Sequence, residues 1–161
     1  MSSNTDISSK FPRQIPVNSN QTSYALKPGY YAVHGAQRPP EPQPVQLLNE
    51  GAIAIYEGEP DAKLASTMSP VYTLAQGGSL AVPTGLVLLR LGEHIPIADR
   101  RDAVEAAGYE VAETLSYAPN AAWLRARSGK IADALKGTKE LEKIPGVENV
   151  EPQMLMAAGR R

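Results

Sequence analysis

The part of the chain that most constrains its fold runs from Pro83 to Leu155, where strand-like and helix-like segments alternate. The apolar run GLVLLRLGE, residues 85–93, predicts a buried central strand. IPIADRRDAVEAAG, residues 95–108, has a proline in its first turn, helix-favouring residues inside and a glycine at its end, and so predicts a helix. YEVAETLSYAP, residues 109–119, alternates apolar and polar residues, which indicates a strand with one solvated face.

The second half of this part repeats the pattern. NAAWLRARSG, residues 120–129, predicts a third strand after a Pro-Asn turn. We expect Ser128 to cap the next helix, whose apolar spacing slips at Gly137. Pro145-Gly146 ends that helix, and VENVEPQML, residues 147–155, is the last strand.

The resulting order, β-α-β-β-α-β, is that of the ferredoxin-like fold, an α+β sandwich with an antiparallel sheet. Both helices are expected on one face of four antiparallel strands. The other face is then open or covered by the residues that precede it. An open sheet face on a small domain is usually a docking surface.

The preceding residues have a different character. A tract rich in Ser, Asn, Gln and Pro, including QRPPEPQP, favours extended chain on which the tyrosines of GYYAVHGA lie against the folded part. GAIAIYEG and the two apolar runs around Gly77-Gly78 predict short strands and a hairpin. The predicted domains are an extended or disordered arm (1–45), a small β extension (46–82), the ferredoxin-like domain (83–156) and a C-terminal tail (157–161).

Charge and composition argue against several functions. With 16 Lys and Arg against 17 Asp and Glu, the net charge of −1 creates no field that would gather nucleic acid. The absence of cysteine excludes disulfides and thiolate metal sites. No apolar run is long enough to span a membrane and the first ten residues do not resemble a secretory signal, so a cytoplasmic location is expected. His34 and His94 have no convergent partners in sequence, so we expect surface histidines and neither a metal nor a cofactor.

Four segments of this pattern resemble the propeptide domain of subtilisin-like serine proteases, the inhibitor I9 family. They are LVLLRL (86–91), AAGYEVAETL (106–115), NAAWLRAR (120–127) and LEKIPGVENVEP (141–152). The last is the most specific, because a leucine followed by Pro-Gly-Val and then Val-Glu-Pro recurs at the end of such domains. The resemblance covers a little under half of the chain.

The resemblance implies a non-enzymatic function. In that family the propeptide domain lays its sheet face on two parallel helices of the protease, and its extended tail occupies the substrate cleft as a product-like strand. The same complex assists folding of the protease and inhibits it. The family's acidic position, which accepts hydrogen bonds from helix N-termini of the protease, falls on Glu151, and its next polar position falls on Gln153. The implied cleft-binding residues are Met154, Leu155, Met156, Ala157 and Ala158.

Two functions follow from this pattern. No catalytic domain follows Arg161 in this sequence, so the first is an inhibitor or folding chaperone acting in trans on a subtilisin-like protease. The alternative is an interaction or regulatory module that uses its ferredoxin-like sheet for self-association. An RNA-recognition motif shares the topology but needs several aromatics on its third strand, where this chain has only Trp123. Trp123 is either a contact anchor on the open face or a covered aromatic.

Overall fold

The computed structural model describes residues 11–16, 23–35, 44–48, 52–58, 68–74 and 80–156. These residues form an α+β structure that is mostly antiparallel sheet, as the sequence predicts at the level of fold class. The strands are β1 (Gln14–Pro16), β2 (Ser23–His34), β3 (Gln46–Leu48), β4 (Ile53–Glu57), β5 (Met68–Leu74), β6 (Leu80–Leu91), β7 (Tyr109–Leu115), β8 (Ala118–Ala126) and β9 (Val147–Met156). The helices are a 3₁₀ segment (Ile97–Arg100), α1 (Arg101–Ala106), α2 (Ile131–Lys136) and α3 (Thr138–Glu142).

The chain divides into two compact units. Unit 1 consists of Met1–Pro16, Thr22–Pro83 and Met154–Arg161, and unit 2 consists of Val17–Gln21 and Thr84–Gln153. Two strands, β6 and β9, contribute residues to both units. Each unit has its own buried apolar cluster, so each is described by itself.

Unit 1 is built on antiparallel pairing around β2. This strand pairs with β4 on one side and with β5 on the other, and its first residues also pair with β1. The short strand β3 lies at the edge beside β4, and β5 continues into the first residues of β6 through the pairs Tyr72↔Ala81 and Thr73↔Leu80. That pairing is the one expected for the predicted hairpin, although residues 75–79 lie outside the described part.

Both faces of the unit 1 sheet are buried. Because neighbouring strand residues point to opposite faces, Ala32 and Ile55 lie in one cluster while Tyr31 and Tyr56 lie in the other. The first cluster is aliphatic and contains Ala32, Leu48, Ile53, Ile55, Val71 and Val82. In the second, the rings of Tyr31 and Tyr56 stack at a centroid distance of 5.2 Å.

This arrangement differs from the predicted arm at residues 1–45. The described residues 23–34 form a 12-residue strand with Tyr31, Ala32 and Val33 fully enclosed. The apolar residues of GYYAVHGA are therefore buried by pairing with β4 and β5 on both sides, and do not simply lie on a folded surface. The prediction missed this because a strand inside a polar, proline-containing tract is recognisable only when its partners are known.

Unit 2 contains the segments that the sequence predicted between residues 84 and 153. Residues 87–90 of β6 pair antiparallel with β8, β8 pairs with β7, and β9 pairs with β6. Side chains from one face of these strands form a single core with Ile97, Val104, Ala134, Leu141 and Ile144 of the helical segments and their ends. The helices are short, with five or six residues each, so their stability comes from this packing more than from helix propensity.

The predicted Pro-Asn turn before the third strand is wrong. Strand β8 already begins at Ala118, so Asn120 lies within it, and the turn falls at Ser116 and Tyr117. The side-chain amide of Asn120 donates a hydrogen bond to the carbonyl of Leu91 at 2.8 Å. The Asn120 amide, which the sequence analysis assigned to a turn, therefore bonds to a neighbouring strand.

The Pro-Gly motif at residues 145–146 is held from two sides. The guanidinium of Arg100 donates to the Pro145 carbonyl at 2.8 Å, and the Gly92 amide donates to the Gly146 carbonyl at 2.9 Å. Gly146 has a φ of 88°, a left-handed conformation that glycine adopts without a steric penalty. The motif therefore ends the second helical segment and starts β9 beside the end of β6.

The helical slip predicted at Gly137 marks the point where α2 ends and α3 begins. The cause is a close approach by Tyr109, which is fully buried and donates a hydrogen bond from its hydroxyl to the Ala134 carbonyl. A methyl group at position 137 would lie 2.9 Å from that hydroxyl oxygen and 3.1 Å from the ring.

We therefore expect Gly137→Ala to lower the free energy of unfolding by about 1–3 kcal/mol, because the enclosed Tyr109 ring cannot move aside without disturbing the core. Urea unfolding followed by circular dichroism measures this. Gly92→Ala is the matched control, since a methyl group there makes only ordinary contacts at 3.6 Å. Equal effects of the two substitutions would contradict the proposed clash.

Candidate protein-docking face

The face of the unit 2 sheet that points away from the helices has an apolar centre. Leu89 and Leu124 belong to the helix-side core, so their strand neighbours Leu88 and Trp123 point to the other face. These two residues are direct cross-strand partners between β6 and β8, and both are half-buried. Trp123 therefore lies outside the helix-side core, on the face where the sequence analysis allowed a contact anchor.

An ion pair flanks this centre on one side. Glu110 of β7 and Arg125 of β8 are cross-strand partners, and the Arg125 Nε lies 2.6 Å from a Glu110 carboxylate oxygen. Both side chains are partly exposed, so the pair contributes little to stability but cancels the two charges locally. Glu113, which is opposite Trp123 in the register, is also exposed.

Arg90 lies on the same face, two residues beyond Leu88 along β6. It is opposite Ala121 and exposed to solvent. Within the described part of the chain it forms no ion pair and no side-chain hydrogen bond. Its positive charge is thus available to a partner.

Strand β9 brings two of the predicted site residues to this face. Val150 packs against the helix-side core, so its neighbours Asn149 and Glu151 point the opposite way. Thr84 donates a hydrogen bond to the Gln153 side-chain oxygen at 2.8 Å, and Gly92 bonds to Gly146 at the other end. These contacts indicate that β9 runs antiparallel to β6, with Glu151 near the level of Leu86. We use the name docking face for the surface formed by Leu88, Arg90, Glu110, Trp123, Arg125 and Glu151.

The carboxylate of Glu151 is only weakly engaged. Its one side-chain contact among the described residues is with the Asn149 amide, at 3.5 Å, which is long for a hydrogen bond. The carboxylate can therefore accept stronger bonds from a partner. By contrast, the Gln153 side chain already accepts the bond from Thr84.

The predicted cleft-binding residues lie at the end of β9. Met154, Leu155 and Met156 belong to the strand, in the part that is assigned to unit 1. Leu155 packs against the aliphatic cluster of that unit, whereas the Met156 side chain is 41% exposed. Ala157 and Ala158 lie outside the described residues. The sequence did not reveal that Leu155 has an intramolecular partner.

The two histidines have different environments. His94 is a surface residue as predicted, with a side chain 95% exposed. The predicted surface position holds only in part for His34, which is half-buried and whose Nε2 lies 2.9 Å from the hydroxyl of the buried Ser69. Burial lowers the pKa of His34 from 6.5 to about 4, so the imidazole is neutral at pH 7.

A shallow cleft of about 570 Å³ opens elsewhere on unit 2 and is lined by Ala107, Gly108, Tyr109, Arg127, Ser128 and Asp133. Ser128 donates to the Asp133 carboxylate at 2.7 Å and accepts a bond from the Lys130 amide, so these groups organise the start of α2. Burial raises the pKa of Tyr109 to about 12, and its hydroxyl is bonded to backbone. The polar groups of Ser128, Asp133 and Tyr109 thus have hydrogen-bond partners within the chain.

Two kinds of feature are absent from the described part of the chain. No group of three or more His, Asp or Glu side chains is placed there to hold a metal ion. None of the helices in those residues has both the length and the apolar character needed to cross a bilayer.

Comparison with protein-family models, with curated proteins and with solved structures finds no match to this chain. The docking face is therefore the feature of this chain that bears most directly on its function. Of its residues, sequence reasoning singled out Glu151 and Trp123 but missed Leu88, Arg90 and the pair of Glu110 with Arg125. The alternation of side chains along LVLLRL could have indicated that Leu88 and Arg90 share a face. The pairing of Glu110 with Arg125 becomes visible only when the register of β7 and β8 is known.

The half-buried His34 makes unit 1 sensitive to acid. Its folded-state pKa lies below the value in the unfolded chain, so the unfolded chain binds the proton first as the pH falls. The His34 contribution to stability is complete above pH 6.5 and is lost as the pH falls towards 4, by at most roughly 1.4 kcal/mol per pH unit.

Urea unfolding at pH 7 and pH 4.5 tests this for the unchanged protein, His34→Gln and His94→Gln. We expect His34→Gln to reduce the loss of stability at pH 4.5, because the glutamine cannot be protonated. His94→Gln should behave like the unchanged protein, since His94 is exposed. An identical pH dependence for all three proteins would contradict a buried neutral His34.

Proposed function

We propose that this protein is a non-enzymatic binding protein that acts in trans as a propeptide-like inhibitor or folding chaperone of a subtilisin-like serine protease. Unit 2 is proposed to have the ferredoxin-like topology. Support comes from the element order β6, α1, β7, β8, α2–α3, β9 and from strand pairings that give the order β9-β6-β8-β7. The helices and the docking face then lie on opposite sides of one sheet.

One observation carries the proposal: Glu151 lies on the same sheet face as Leu88 and Trp123. In the family that the sequence resembles, the acidic residue and the sheet face are used together. The acidic residue was identified here from the Val-Glu-Pro motif, whereas the apolar pair follows from the register of β6 and β8. The Val-Glu-Pro motif and the register of β6 and β8, which are independent of each other, thus point to neighbouring parts of one surface.

The residues of the docking face contribute to binding in different ways. Trp123 supplies a large amphipathic surface at low entropic cost, which is why tryptophan so often dominates the energy of an interface. Leu88 beside it completes an apolar centre that a partner can dehydrate. The weakly bonded Glu151 carboxylate can accept hydrogen bonds from amides at helix N-termini of the protease, where the helix dipole favours an anion.

The tail forms the second part of the proposed mechanism. In the free protein Met154–Met156 continue β9, and Leu155 is held by the unit 1 cluster. We propose that this end of the strand leaves β9 and enters the substrate cleft together with Ala157 and Ala158, where its main chain pairs with strands of the protease. Release of Leu155 then costs part of the binding energy.

The docking face is tested by adding the protein to a bacterial subtilisin and measuring residual activity on a peptide substrate. Trp123→Ala should weaken inhibition by about tenfold or more, because it removes the centre of the interface. Tyr117→Ala is the matched control, since Tyr117 lies in the β7–β8 turn with its side chain 83% exposed. Circular dichroism establishes that both variants are folded.

Absence of inhibition by the unchanged protein across several subtilisin-like proteases would overturn the proposed partner. Equal weakening by Tyr117→Ala and Trp123→Ala would overturn the assignment of the docking face.

The tail is tested separately with Met156→Asp. Met156 is exposed, so the substitution should change the stability of the free protein by less than about 0.5 kcal/mol. It should weaken inhibition by about tenfold, because a carboxylate would enter an apolar subsite of the cleft. Val45→Asp places the same charge on another exposed apolar residue of unit 1 and should leave inhibition unchanged. Full inhibition by Met156→Asp would contradict tail insertion while leaving sheet docking intact.

A further inference from the structure

The docking face has a charge pattern that the proposed protease function does not use fully. Along β6, Arg90 lies on one side of Leu88 and Leu86 lies on the other side. Glu151 of β9 lies near the level of Leu86, so opposite charges occupy opposite ends of the face along the strand direction. The half-buried Leu88 and Trp123 lie between them.

The other charges on the face do not cancel this polarity. Glu110 and Arg125 neutralise each other through their 2.6 Å contact. Arg90 has no ion-pair partner in the described part of the chain, and the Glu151 carboxylate has only the long contact with Asn149. One unpaired positive charge and one weakly bonded negative charge therefore remain at the two ends.

We infer that the docking face binds the docking face of a second copy of this chain, forming a two-fold symmetric dimer. The two-fold axis lies in the interface, perpendicular to the strands and level with Leu88 and Trp123. Rotation about this axis exchanges the two ends of the face. Arg90 of each copy then approaches Glu151 of the other, and the two apolar centres cover one another. A self-complementary surface of this kind is what an isologous dimer requires.

The second copy fits because it supplies every complementary feature at the right separation by symmetry. The same axis brings like charges together at two places. Arg125 is level with Leu86, so it approaches Arg90 of the other copy, although its charge is paired with that of Glu110. Glu113 is level with Trp123 on β7, so it approaches Glu113 of the other copy at the exposed rim. Repulsion there opposes the dimer and limits its affinity.

The inference does not depend on the proposed protease. Because a dimer covers the docking face, self-association and protease binding are mutually exclusive on this surface. The dimer is measured in the absence of protease, so a lack of dimer formation and a lack of protease inhibition are separate results.

Sedimentation equilibrium of the full chain from low to high micromolar concentration measures the dimer. Arg90→Glu should weaken it by at least about tenfold, because symmetry places two like-charged contacts in the interface. Glu151→Lys should do the same. The double variant with both substitutions should regain most of the lost affinity, since the exchanged charges again oppose each other.

Two further variants make the result specific. Arg101→Glu introduces the same charge change on helix α1, on the other side of the sheet, and should leave the dimer unchanged. Glu113→Gln should strengthen the dimer by removing the like-charge contact on the axis. A monomer at all concentrations would overturn the inference, as would a dimer that Arg90→Glu and Glu151→Lys weaken without restoration in the double variant.

Discussion

The antiparallel pairing of β6 with β8 is the interaction on which the rest of unit 2 depends. It aligns Val87 with Leu124 and Leu89 with Ala122, so that one face of both strands is continuously apolar. The short helices have stable positions only because this surface buries them. By the alternation of side chains, the same register assigns Leu88 and Trp123 to the opposite face. Core and docking face are thus two consequences of one alignment.

Strand β9 serves both units. Its first part supplies Val150 to the helix-side core of unit 2, and the next residue, Glu151, points to the docking face. Val147 packs against the same core at the start of the strand, directly after the Pro-Gly motif. Its last part carries Leu155, which packs in the aliphatic cluster of unit 1. In the proposed mechanism, this end of the strand exchanges one set of main-chain hydrogen bonds for another when it enters a protease cleft. The cost of that exchange is set mainly by Leu155, because Met156 is exposed.

Much of unit 2 was predictable from local patterns. The strands around LVLLRL and VENVEPQML and the helical break at Gly137 follow from the periodicity of apolar residues and from glycine and proline positions. The position of the turn before β8 was not, because the predicted Pro119-Asn120 turn lies within the strand, where Asn120 bonds to the Leu91 carbonyl of a strand almost thirty residues earlier in the chain. Turn propensity is local, and a side-chain bond to a neighbouring strand can outweigh it.

By itself, the sequence determined the α+β class, the order of segments in unit 2 and the acidic and apolar character of the residues near its end. These properties depend on residue spacing within a single segment, where periodicity reports directly on burial. Only the tertiary structure decided that Tyr31 to Val33 lie in a buried strand, that His34 contacts Ser69 and that Glu151 shares a face with Trp123. Each of these depends on which strands pair and in which register, and that choice is made by contacts between residues far apart in the chain.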